Sequence, residues 1–174
     1  MNVTNASSVS TTPSVYFDNC LVGAVVKGDH PAQMPSLSIL FTAHQSGSVA
    51  LSASTQVLKE IQALPAEYQG PHLAVWNDLR KLPASRVTWI DEQSTARSIT
   101  TDHLYTRLET VLTDPSDRLH VFYAAKQGVG YFATVDQKTI LSKKRQLESI
   151  VSMRFGTPRE ITGYIGISGT TGSA

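Results

Sequence analysis

The chain has 174 residues, of which 41% are hydrophobic and 17% charged, and a net charge of +1. This is a single-domain length, sufficient to bury a core, and the near-neutral charge excludes capture of polyanions by a long-range field, so any nucleic-acid binding has to be local. No run nears the roughly 18 apolar residues of a membrane span, and the polar opening MNVTNASSVSTTP lacks the basic start and apolar core of a signal peptide.

Residues 1–13 and 166–174 read as loose tails around one folded unit spanning 14–165. Ser14-Val-Tyr-Phe is a β-rich run ending at Asp18, and an apolar helical stretch follows from Cys20 to Val26. Cys20 is the single cysteine, so no internal disulfide forms; this suits a reducing, cytoplasmic setting, with the thiol expected to pack in the core. After the Gly28–Pro31 break, Leu37, Leu40, Phe41 and His44 recur at helical spacing until Gly47. Ser48 to Ser52 is a second strand, and Ser54 is placed to cap a helix carrying Val57, Glu60, Ile61 and Leu64. Leu73, Val75, Trp76 and Leu79 suggest a further helix after an interruption at Gly70-Pro71. Val87 to Ile90 is a third strand, and Leu104, Leu108, Val111 and Leu112 fit a helix. Asp117 to Gln127 reads as a helix closed by Gly128, followed by a fourth strand, Tyr131 to Thr134, and then Asp136. Thr139 to Ile150 predicts a helix, and Val151 to Phe155 a fifth strand. This alternation predicts an α/β fold with a mostly parallel sheet covered on both faces.

Function in such folds gathers at the carboxyl ends of the strands. Asp18 and Asp136 follow two of them, while Glu60 and Asp117 ride helices adjoining the same edge. Four crowded carboxylates repel one another unless a divalent cation intervenes, and hard oxygen ligands suit Mg2+ or Mn2+. A bound cation of this kind supports phosphodiester hydrolysis. The same acids also serve commonly as helix caps and turn residues, so spacing alone leaves both roles open.

The stretch from Asp117 through His120, Ala124, Gly128 and Thr134 to Asp136 resembles the central signature of PIN-domain ribonucleases. There an Asp opens a helix ending in Gly, and a short strand leads into Thr-x-Asp. Val15-Tyr-Phe-Asp18-Asn19 resembles the family's opening strand and first acid. Ser52 to Ile61 resembles the segment bearing its second acid, Glu60, and Thr157-Pro-Arg-Glu-Ile its usual ending. The resemblance spans roughly residues 14–162 and is specific mainly in the central segment. It implies a three-layer α/β/α sandwich and a Mg2+- or Mn2+-dependent endoribonuclease, with Asp18, Glu60, Asp117 and Asp136 as catalytic metal ligands. Many members are toxins, so it also implies an antitoxin partner and a homodimer. Asp114 rivals Asp117 for the third position, but the spacing of Asp117 to Thr134 and Asp136 fits the family.

Thr134 and Asn19 are candidates to support the acids, and Lys138 and Arg145 to bind flanking phosphates of RNA. His120 is expected to be a hydrogen-bonded helix residue, and Trp76 and Trp89 to be core. The alternative function is a PIN-like fold that binds RNA or a protein without cutting. A nucleotide-binding or phosphatase domain lacks its phosphate loop, because Gly128-Val-Gly130 precedes a strand.

Overall fold

The computed structural model describes residues 12–81, 89–90 and 99–168. Strand β1 (Ser14–Phe17) leads into α1 (Asn19–Lys27) and α2 (Met34–Gln45). Next come β2 (Ala50–Ser54), α3 (Thr55–Ala63), α4 (Ala66–Lys81) and the two-residue β3 (Trp89–Ile90). Helices α5 (His103–Glu109) and α6 (Pro115–Lys126) precede β4 (Tyr131–Ala133). Helix α7 (Lys144–Ile150), β5 (Arg154–Gly156) and α8 (Pro158–Ile165) complete the fold. The sheet core is four parallel strands in the order β2-β1-β4-β5, and β3 extends it beyond β2, also in parallel.

Side chains alternate across a strand, and here the alternation divides the core in two. Val15, Phe17, Leu51, Ala53 and Ala133 face α1, α2, α3, α4 and α8. Tyr16, Phe132 and Phe155 face the other way, onto α5, α6 and α7. The result is the expected three-layer α/β/α sandwich. In-register pairing sets Tyr16 beside Phe132 and Phe132 beside Phe155. Their ring centroids are 5.1 and 5.2 Å apart. Each such pair adds about 0.5–1.5 kcal/mol beyond its area burial.

Several element ends depart from the periodicity. The second strand begins at Ala50 rather than Ser48, because the amides of Ser48 and Val49 both donate to the Ala43 carbonyl at the end of α2. Helix α4 runs through Gly70 and Pro71 without interruption. Proline removes one amide and leaves a single carbonyl, that of the exposed Glu67, to water. Helix α6 begins at Pro115 rather than Asp117, since the Asp114 carboxylate caps it by accepting from Ser116 N–H at 2.7 Å. Gly128 closes it at φ 66°, a conformation that favours glycine. The helix expected over Thr139–Ile150 forms only from Lys144, after a turn and a 3-10 segment held by Asp136. Residues 87 and 88 of the expected third strand lie outside the described residues, as do most of both tails. Among the described residues, no helix is long and apolar enough to cross a membrane.

Candidate functional site

All strands point the same way, so the segments that leave their carboxyl ends meet at one edge. Asp18 ends β1, and Thr134 and Asp136 follow β4. Glu60 lies in the second turn of α3, directly after β2. Helix α6 precedes β4 and so starts at this edge, with Asp117 in its first turn. Arg118 fixes that helix: its guanidinium donates to Glu109 Oε1 at 2.8 Å and to the Thr113 carbonyl at 3.2 Å.

Cys20, in the first turn of α1, stands within the field of all four acids. Burial, and then the charges of Asp18, Asp136, Asp117 and Glu60, push its thiol pKa up. The side chain is nonetheless exposed rather than in the core as expected, because Leu21 and Val22 take the inward positions of α1. Beside uncompensated carboxylates the thiolate is disfavoured, which makes Cys20 a poor nucleophile there.

Asp18 is 4% exposed and caps α1, accepting from Leu21 N–H at 3.2 Å. Burial raises its pKa from 3.8 to about 7, against a Thr134 hydrogen bond and the nearby His120, with the Glu60 charge adding to the rise. The Thr134 hydroxyl also accepts from Asp136 N–H at 3.0 Å, so it ties the first acid to the last. Asp117 is likewise pushed up, by burial first and then by the carboxylates of Asp114 and Asp136, with a Thr139 hydrogen bond opposing. Asp136 is engaged by its own turn: it accepts from the amides of Lys138 (2.9 Å) and Thr139 (3.0 Å), and from the Thr139 hydroxyl. Asp114 spends its carboxylate on the helix cap, whereas that of Asp117 faces Asp136 electrostatically.

Glu60 is held differently. His120 Nε2 lies 2.9 Å from its Oε1, and the Ser116 hydroxyl donates to the same oxygen. Gln56 reinforces Ser116 by donating to it at 2.6 Å. Burial raises the Glu60 pKa, but hydrogen bonding and charge from His120, with Ser116 and Gln56, outweigh it and hold the carboxyl below its usual range. Behind the histidine runs a buried chain: His120 Nδ1 is 2.8 Å from the Tyr16 hydroxyl, itself 2.6 Å from Ser54 Oγ. A carboxylate only accepts, so Nε2–H donates to Glu60. In the neutral imidazole Nδ1 then accepts from Tyr16, which accepts from Ser54. Burial keeps Tyr16 a phenol by pushing its pKa up. Ser54 is thus occupied with Tyr16 and makes no side-chain cap to α3.

The four acids therefore share an edge, yet among the described residues no three His, Cys, Asp or Glu side chains stand together closely enough to hold one ion. The donor chemistry suits a hard cation: all four groups are carboxylates, and two are raised by burial and by their neighbours, a strain that a cation would relieve. Asn19 adds a buried Oδ1 with no hydrogen-bond partner, directly after Asp18. Closing three of these side chains on one ion requires side-chain movement, which for Glu60 means leaving its hydrogen bonds with His120 and Ser116.

Of the basic candidates, Lys138 is exposed beside Asp136 and lines an adjoining groove. Arg145 is exposed on α7 and lines a separate recess. Its neighbours are committed, with Lys143 donating to the Val111 carbonyl at 2.7 Å and Lys144 to the Tyr164 hydroxyl at 2.7 Å. Trp76 is core, as expected. Compared with the models of known protein families and with the curated proteins, the chain matches none.

Proposed function

We propose that the chain is a Mg2+- or Mn2+-dependent endoribonuclease of the kind its sequence resembles, the PIN-domain ribonucleases. The observation that carries this is that the parallel sheet brings Asp18, Glu60, Asp117 and Asp136 to its carboxyl edge, where the charges of all four act on Cys20. Asp18 is buried, and its carboxyl and that of Asp117 are pushed up, a cost in the charged form that a bound cation would offset. Asp18, Asp117 and Asp136 would hold the cation, with Glu60 joining them on release from Ser116. Bound there, the cation would activate water and neutralise charge on the scissile phosphate. The chain's own residues do the rest. Thr134 couples Asp18 to Asp136, His120 orients Glu60, and Lys138 attracts a flanking phosphate of RNA. The resemblance extends the proposal to a homodimer and to an antitoxin whose segment covers the acidic edge.

A second function keeps the fold and gives up the chemistry: a module that binds RNA or a protein. The lack, among the described residues, of three acids in a chelating arrangement favours it. The experiment that separates the two is incubation of single-stranded RNA with the protein in Mg2+, Mn2+ or EDTA. Cleavage only with the cation, leaving a 3′-hydroxyl and a 5′-phosphate, is the result expected of the nuclease. Binding without cleavage in either cation is the result expected of the module.

A further inference from the structure

Asp136 and Asn19 also line one side of an open groove of about 480 Å³, which continues from the acidic edge between α1 and α4. Its size lies within the roughly 300–1,000 Å³ over which clefts take small molecules. Two of its lining residues, Lys27 and Lys138, are exposed cations whose ammonium groups have no partner among the described residues. Its wall is apolar where Ala24, Leu64 and Val135 contribute. Into this wall is set His72, a largely buried ring. His72 Nδ1 lies 2.8 Å from the Tyr68 carbonyl, which only accepts, so Nδ1 carries the proton. In the neutral ring Nε2 is then an acceptor, and it has no partner among the described residues. Opposite it is Gly23 of α1, where a Cβ would come to 4.0 Å from Nε2. Any longer side chain at 23 would fill the space in front of the acceptor.

An acceptor in an apolar wall, with cations alongside, matches a nucleotide, whose base offers N–H donors and an apolar face and whose phosphate is anionic. We propose that this groove seats one nucleotide of an RNA strand beside the position of the cut. An N–H of the base edge donates to His72 Nε2, the base lies over Gly23, and Lys27 and Lys138 hold a phosphate. Asp29, which also lines the groove, faces His30 Nε2 at 3.7 Å. The location beside a cut rests on the ribonuclease proposal, but the seat itself binds without cleavage.

The test is therefore binding in EDTA, by amide NMR titration of the full chain with 5′-AMP, 5′-CMP and adenosine. Saturable shifts confined to the neighbourhood of Gly23, His72 and Lys138 are expected, with a dissociation constant on the order of 1 mM. Gly23→Leu should abolish them by filling the space before Nε2, with the fold retained in far-UV circular dichroism, since leucine favours a helix over glycine. His72→Ala should weaken binding about three- to tenfold, and His72→Gln, which restores an acceptor, should recover it. Lys27→Ala, at an exposed position in the last turn of α1, should bring 5′-AMP binding towards that of adenosine. No saturable binding, shifts elsewhere, or unaltered binding by Gly23→Leu would overturn the groove. Nucleotide binding by a protein that cuts RNA with neither cation would overturn the nuclease and leave the groove standing. Cation-dependent cutting by a protein with no such binding would do the reverse.

Discussion

Asp18→Asn should make the metal-free protein more stable at about pH 8, because it removes a charge that the fold buries at a cost. The folded-state pKa is raised from 3.8 to about 7. A raised carboxyl contributes stability that is full below the unfolded value and lost as pH rises through the folded one. About three pH units at about 1.4 kcal/mol each bound the loss at roughly 4 kcal/mol. Asparagine keeps the shape and the capping oxygen that accepts from Leu21 N–H. It should therefore recover roughly 2–4 kcal/mol at about pH 8, or about 5–15 °C in melting temperature, and almost nothing near pH 4. Thermal and urea unfolding in EDTA across that range would measure both curves. If parent and variant run parallel from pH 4 to 8, or if the variant is the weaker at pH 8, the Asp18 carboxyl is not under the strain described.

The parent's melting temperature should rise with Mg2+ or Mn2+ by mass action on the folded state, and Asp18→Asn should blunt the rise; identical curves with and without cation would remove the metal site. His120→Leu should weaken Mn2+ binding about 10–100-fold in calorimetry, and His120→Gln, which keeps a donor to Glu60, should restore most of it. Equal affinities for those two variants would limit His120 to packing. Tyr16→Phe, which strips His120 Nδ1 of its partner, should cost about 1–3 kcal/mol in urea unfolding, and no change would mean that the buried chain carries no stability. Light scattering should give a dimer, and a monomer at high concentration would withdraw the homodimer.

Local pattern made much of the fold legible. Val15 and Phe17 against Tyr16 is a period-two run, and it divides between the two faces as such a run must. Asp18 and Asp136 were readable because each stands just past a strand, and Gly128 because a helix needs a positive φ to stop there. Long-range pairing is what sequence could not supply. Tyr16 and His120 are 104 residues apart, and nothing near either shows that the phenol and the imidazole share a hydrogen bond. The same holds for Glu60 and Ser116, separated by 56. Asp114 before Pro115 is a cap signal that starts α6 where the structure has it, whereas the family-like spacing of Asp117 points two residues later. The core position that sequence suggests for Cys20 has a similar origin. An apolar residue type within an apolar run suggests core, and only the helix phase reveals that it faces the acids.

Single-turnover cleavage at saturating enzyme tests most directly, and with least interference from binding, whether the acidic edge performs chemistry on RNA. The parent should cut single-stranded or loop RNA in Mg2+ or Mn2+ and not in EDTA. Asp136→Asn, which keeps the side chain's size and removes its charge, should be slower by on the order of a thousandfold or more. Lys138→Ala should keep the single-turnover rate while weakening binding and its salt dependence. An Asp136→Asn protein that cuts as fast as the parent would show that the four acids are structural and that this edge is not a nuclease site.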